Sequence, residues 1–389
     1  MIDTLRGVTV MSGVSWWGGG RVLRLAWEKV LERADIRLDG DRAWDIRVHD
    51  PRVFRRVLLE GSIGFGDAYV EGWWSCGDLE QLAERIARSR LEELAAFLPL
   101  GLMHKVASRG SNRQTRLLAR RGVQHYEWGN DLFCALLGRH RSYSCGYFRD
   151  TDDLDTAQWQ KLDLVCRKLD LRPGEHLLDV GGGWGELARH AAQHHGVRVT
   201  SINISEEQMR FARERCRGLD VEIVHRDYRD LTGTYDKIAA VAMFTHVGYR
   251  NYRTFMETMH RSLRPGGTLV MEGVWGNRTS VDIDAWIDTY IFPGGMFPSG
   301  AQTFRAFEGL FVAEDLHNFG PHYVPTLRAW NRNFQAAWPD LAGRHPERVR
   351  KMFEYYLLVS AGFFSARVLQ NWQLVLTPTG TAQPPCRVS

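Results

Sequence analysis

The chain has 389 residues, 44% of them apolar and 25% charged, a balance that excludes disordered and fibrous classes. Its 50 Lys and Arg against 46 Asp and Glu leave a net charge of only +4, which gives no support for nucleic acid as a partner. Six scattered cysteines without a CxxC pair indicate neither a disulfide framework nor a zinc site, and predict a reducing compartment.

In chain order, residues 1–20 end in SWWGGG and read as a loose leader. Residues 21–103 hold short segments with apolar residues at three-and-four spacing (21–34, 51–74, 78–94), which predict amphipathic helices of a small N-terminal domain. The segment 104–121 is rich in Lys and Arg and has no acid. It reads either as a solvated linker or as a basic patch facing anionic headgroups. The longest charge-free stretch, 289–304, is broken by Pro and Gly and predicts no transmembrane helix. The N-terminus lacks the pattern of a signal peptide. The chain's 14 Trp suit a surface with one apolar and one wet side. Those of the N-terminal region (Trp16, Trp17, Trp73, Trp74) are the candidates for membrane contact.

From residue 173 the texture alternates: HLLDVGGGWG (a strand running into a glycine turn), ELARHAAQHH, RVTSINIS, SEEQMRFARERCRG, VEIVHRD, YDKIAAVAMF and GTLVMEGV read as strands and helices. Such alternation predicts a parallel sheet covered on both faces, in a catalytic region spanning 122–389. Ligands of such sheets bind beyond the strand carboxyl ends. The first turn there is Asp179-Val180-Gly181-Gly182-Gly183-Trp184-Gly185. A nicotinamide site prefers GxGxxG with an acid about 20 residues on. Here the second strand ends at Asn203, which disfavours that reading.

The glycine turn resembles the S-adenosylmethionine turn of class I methyltransferases. More narrowly, HYEWGNDLF (125–133), YSCGYF (143–148), INISEEQ (202–208), RDYRDL (226–231), MFTHVG (243–248), WIDTYIFPGG (286–295) and HNFGPHY (317–323) resemble cyclopropane-fatty-acyl-phospholipid synthases, in order and along the whole chain. The resemblance implies an α/β fold, a Rossmann-like seven-stranded methyltransferase sheet behind a small N-terminal helical domain for lipid engagement and dimerisation. It implies S-adenosylmethionine as cofactor, held at Tyr143, Ser144, Gly181, Gly183, Asn203, Ile204, Gln208, Asp227 and Tyr228. It also implies methyl transfer to a double bond of a phospholipid acyl chain. The expected setting is a homodimer at the cytoplasmic, inner face of a bilayer containing unsaturated chains, without nucleic acid.

An alkene attacking a sulfonium methyl leaves a carbocation, so the site needs an apolar approach, an anion and a base. In the family that base is a bound bicarbonate, held by the Cys of YSC, a Glu in MFEHVG, a His on the fifth strand and a Tyr near HNFG. Cys145 and Tyr323 are retained, whereas Thr245 stands in the Glu position and Glu272 in the His position. Two close anions resist both being ionised, so Glu272 is expected to replace bicarbonate, with His246 beside it at the cofactor or in the interior. The changed base leaves the product open between a cyclopropane and a methyl- or methylene-branched chain. A C-methyltransferase of a non-phospholipid small molecule and a non-catalytic lipid-binding homologue are the alternatives.

Overall fold

A computed structural model describes residues 19–91, 103, 106–109, 115 and 129–388. The leader with Trp16 and Trp17, most of the basic segment 104–121, and Tyr126 and Glu127 lie outside the described residues.

The N-terminal region forms helices α1 (Gly19–Glu32), α2 (Arg52–Glu60), α3 (Ser62–Val70) and α4 (Leu79–Ser89). Two short strands, β1 (Arg47–Val48) and β2 (Trp74–Ser75), pair antiparallel among them. The helical run expected over 51–74 breaks at Gly61, whose φ of 61° is costly for any residue with a Cβ. Asp78 caps α4 by accepting a hydrogen bond from the Gln81 amide.

Next come α5 (Asn130–Leu137), α6 (Leu154–Lys168), β3 (His176–Val180), α7 (Glu186–His195), β4 (Arg198–Asn203), α8 (Glu206–Arg215), β5 (Val221–His225) and β6 (Tyr235–Val241). After these follow α9 (Tyr252–Ser262), β7 (Leu263–Gly276), α10 (Ala285–Tyr290), α11 (Gly300–Phe307), β8 (Phe311–Asn318), α12 (Tyr323–Leu341), α13 (Glu347–Ser365) and β9 (Leu369–Pro378). Strands β3 to β9 make the seven-stranded sheet, in the order β5-β4-β3-β6-β7-β9-β8. The expectation of a purely parallel sheet needs one correction: β9 runs antiparallel between β7 and β8. The reversal arises because α13 delivers the chain back to the sheet from the opposite end. The order reverses between β3 and β6, so the ends of these strands open a crevice.

The N-terminal helices share their apolar core with α12 and α13: Leu82, Phe54 and Trp74 belong to the same buried cluster as Leu327, Phe353 and Tyr356. A Cβ on Gly362 of α13 would strike the Glu80 carbonyl and come within 2.6 Å of the Ala83 Cβ, so glycine sets how closely α4 and α13 cross. Arg328 binds Glu80 through Nε and Nη2 at 2.6 and 2.7 Å across the same seam. Asp67 of α3 accepts hydrogen bonds from the Trp286 indole and the Tyr290 hydroxyl of α10.

Trp74 corrects an expectation. It is buried, stacked on Phe65 with centroids 4.3 Å apart, and its indole N–H donates to the Phe65 carbonyl. With face and polar tip both satisfied inside the protein, it has nothing left for a membrane. Trp73 is half-buried beneath the guanidinium groups of Arg52 and Arg56. Among the described residues no helix is long and apolar enough to cross a membrane.

Candidate active site

At the carboxyl ends of β3, β4 and β6 a cavity is lined by Tyr143, Ser144, Gly181, Gly183, Asn203, Ile204, Gln208, Asp227 and Tyr228, all nine residues expected at the cofactor. Backbone geometry brings them together. Gly181 has φ 79° and a Cβ there would press on Met243, 3.2 Å from its sulfur. A Cβ on Gly182 would collide with the Ser201 Oγ and the Asp179 carboxylate. Ser201 donates to Asp179 Oδ2 at 3.0 Å, so the hydroxyl of the neighbouring strand occupies the space a side chain at 182 would need. A Cβ on Gly185 would come within 2.8 Å of Ala212 on α8. The result is a cradle of bare backbone.

Side chains tie the cradle to the second strand end. The Asn203 amide donates to the Gly183 carbonyl and to Gln208 Oε1, while its own carbonyl accepts from the Ile204 and Ser205 amides. Asp227 pairs with Arg229 at 2.8 Å, and the Tyr228 ring is buried against Phe255. Burial raises the Asp179 carboxyl to about 6, against the Ser201 hydrogen bond and the charge of Lys161. Glu186, the first residue of α7, also lines the cavity and accepts from His140, Arg189 and Arg215. Burial alone would raise its carboxyl, but these three partners hold it at about 2.

Of the five residues expected at the chemistry, only His246 lines this cavity. Its imidazole has no charged partner to oppose burial, which lowers it to about 4, so the ring is neutral at physiological pH. Thr245 sits above β7, its methyl 4.0 Å from where a Cβ on Gly273 would lie. The adjoining Ala242 amide donates to the Glu272 carbonyl at 2.8 Å. Tyr323 stacks on Phe364 and packs against the small cluster that contains Cys145.

Glu272 is fully buried on the face of β7 that looks toward α6. Its Oε2 accepts from the Gln373 side chain of β9 at 2.7 Å, and its Oε1 has no hydrogen-bond partner. Burial raises this carboxyl, opposed by the charges of Lys161 and Lys168 and by Gln373 and Asn371. Cys145 is buried too; desolvation, then the charge of Glu272, pushes its thiol well up. Lys161, 1% exposed on α6, donates to Ser142 Oγ at 2.6 Å and Ser144 Oγ at 2.8 Å. Its ammonium is lowered by burial and supported by the charge of Glu272. Lys161 and Ser144 both line the cofactor cavity, so this cluster of buried side chains backs onto it.

Lys161, Gln373 and Asn371 were not among the expected residues. Lys161 carried a signal nonetheless: it lies three or four residues from Ala157, Leu164 and Val165, on the apolar stripe of α6. A charge on a buried stripe marks a group with a specific partner. The β9 residues carried none, because only strand pairing sets Gln373 opposite Glu272.

The cavity suits S-adenosylmethionine, with bare backbone at the glycines and polar side chains at the second and third strand ends. Bicarbonate does not suit the second cluster. The His and Glu that hold it in the resembled family are replaced here by Glu272 and Thr245, so the His donor is gone and a second ionised anion would face the Glu272 carboxylate.

Residues 113–374 match the model of the mycolic acid cyclopropane synthetase family. The chain is 43% identical over 350 residues to the cyclopropane-fatty-acyl-phospholipid synthase of Escherichia coli (strain K12), covering 90% of this chain and 92% of that one. It is 32% identical to the tuberculostearic acid methyltransferase UfaA1 of Mycobacterium tuberculosis, over 87% of this chain and 84% of the relative. The crystal structure of the mycolic acid cyclopropane synthase CmaA1 complexed with SAH and CTAB superposes with a TM-score of 0.62 at 26% identity, covering 66% of this chain and 97% of that one.

Proposed function

Because the chain belongs to the mycolic acid cyclopropane synthetase family, we propose that it transfers a one-carbon unit from S-adenosylmethionine to the double bond of an unsaturated phospholipid acyl chain and closes a cyclopropane ring there. The observation that carries this reading is the junction of the glycine cradle with a buried acid–amine cluster, in a chain 43% identical to a cyclopropane-fatty-acyl-phospholipid synthase.

Bound in the cradle, S-adenosylmethionine supplies an electrophilic methyl. Gly181 and Gly183 would admit it by backbone, Gln208 and Asn203 would hold its ribose end, and Asp227 and Tyr228 would flank its base. The reacting carbons approach over His246, Val247 and Pro293, a wall that holds no charge at physiological pH. The π electrons would form the new carbon–carbon bond as the sulfonium S–CH3 bond breaks, its electron pair leaving with S-adenosylhomocysteine and a cation remaining on the acyl chain. Glu272 does not line the cavity; it supplies compensating negative charge from behind Lys161 and Ser144, and as the C–H pair of the new methyl closes the ring the proton is passed back to its Oε1. A raised carboxyl suits a proton acceptor, since it binds the proton more firmly than an ordinary one. The charge of Lys161 opposes that rise, and Thr245 leaves room where the resembled family carries a bulkier acid.

Membrane contact is assigned to the N-terminal face. Val22 and Leu25 of α1 and Leu58 and Leu59 of α2 are exposed, on helices that pack together, and the basic segment follows in the chain. The expected assembly is a homodimer at the inner face of a membrane.

The test is incubation with labelled S-adenosylmethionine and vesicles of unsaturated phospholipid, followed by mass spectrometry of the fatty acid esters. Addition of one carbon as a ring is the expected result. A methyl or methylene branch would move the assignment to the other product class, and no incorporation would overturn the reading.

A further inference from the structure

Away from the cofactor cavity, α6 and α7 bring three soft ligands together. Cys166 on α6 and His190 and His195 on α7 each offer an atom, and these atoms lie within 4.8 Å of one another. Cys166 and His190 are buried and His195 is half-buried. The Nε2 atoms of both histidines are enclosed without any hydrogen-bond partner. Leaving such atoms unpaired costs about 1–3 kcal/mol each, and the mechanism above uses none of the three residues. Cys166 lies about 7 Å along α6 from Lys161, and His195 about 13 Å along α7 from Glu186. The cluster is therefore separate from the active site.

We propose that Cys166, His190 and His195 form a zinc-binding site that staples α6 to α7. One thiolate with two imidazoles selects zinc and similar transition ions over magnesium or calcium. A tetrahedron with bonds of about 2.0–2.3 Å has edges of about 3.3–3.8 Å, so the ligand atoms must close by about 1 Å. Asp163, one turn before Cys166, places Oδ1 3.7 Å from His195 Nε2 while Arg167 holds its other oxygen at 2.8 Å. It is placed to take the fourth position or to orient a water there. Trp159 covers the side of His190, with ring centroids 5.6 Å apart.

The groups are in suitable states. Each imidazole offers the metal a ring nitrogen lone pair, and the enclosed Nε2 atoms have no other hydrogen-bond partner to give up. On metal binding the Cys166 S–H bond breaks, the S–Zn bond forms, and the proton leaves to water. The site joins the two helices that carry Lys161 and Glu186, which gives it a structural role.

The experiment strips the full-length protein with a chelator and titrates it with cobalt(II), then zinc(II). One equivalent of cobalt should bind with a thiolate-to-cobalt charge-transfer band, zinc should displace it, and zinc should raise Tm. Cys166→Ser should abolish the band. His195→Gln, at a half-buried helix end and keeping the thiol, should weaken binding roughly tenfold or more, with turnover unchanged. Absence of the band in the parent protein, or a band undiminished in both variants, would overturn the proposal. So would a Tm indifferent to zinc.

Discussion

At the β3–β5 end of the sheet, binding is done by backbone. Three positive-φ glycines, and an asparagine that ties their turn to the next strand end 20 residues on, form a surface built largely of backbone. At the β6–β7–β9 end, the polar groups are side chains from distant parts of the chain: Lys161 from α6, Cys145 from a loop, Glu272 from β7 and Gln373 from β9. The backbone surface tolerates little change: at Gly181, Gly182 and Gly185 the missing Cβ leaves room for a specific neighbour, and Gly183 is held by its φ of 52°. The side-chain cluster can exchange one proton acceptor for another if the charge around it is rebalanced. Thr245 and Glu272, in positions where the resembled family carries Glu and His, fall in the second region, and the nine cofactor residues in the first.

The comparison breaks most readily at Glu272. Glu272→Gln should lower turnover of labelled S-adenosylmethionine roughly 10²–10⁴-fold with cofactor affinity by calorimetry unchanged; full retention of turnover would end its role as base. In the other region the largest effect is on stability. The Glu186 carboxyl is held at about 2 against the ordinary glutamate value of 4.5, so its contribution is fully present above pH 4.5 and is lost as pH falls through about 2. Glu186→Gln should therefore cost about 3 kcal/mol at pH 7 in urea unfolding, and the gap to the parent should narrow toward low pH.

A smaller effect tests whether bare backbone is required at the glycines. Gly182→Ala should weaken cofactor binding roughly tenfold or more through overpacking, and adding Ser201→Gly, which vacates the contested space, should restore much of it. Failure of that rescue would mean the turn is constrained by something other than Ser201. The mildest effect concerns charge balance. Lys161→Met removes the cation that favours ionised Glu272, so the acid limb of the turnover profile should move to higher pH by on the order of one unit. An unmoved limb would separate Lys161 from the proton acceptor.

Legibility follows the same division. Helix α7, strands β3 to β6 and the glycine turn could be read because glycine turns and period-two or period-3.6 patterns are local, and the nine residues that the resemblance pointed to line one cavity. The break at Gly61 and the burial of Trp74 could not. The first depended on one dihedral inside an apolar run, the second on Phe65 arriving beneath the indole. Glu272 was legible as a departure from a motif, but its surroundings were not, since Gln373 is 101 residues away in the chain.

By itself the sequence determined the class of sheet, the cofactor turn and the family. These rest on short-range spacing and on motifs that keep their order along the chain. Tertiary structure decided the reversal of β9, the core shared between the N-terminal helices and α13, and the partners of Glu272. It also decided the meeting of Cys166 with His190 and His195, which no cysteine spacing announces. The physical reason is that a buried charge or lone pair acquires its meaning from whatever else is buried beside it. Chain folding supplies that neighbour from anywhere along the sequence.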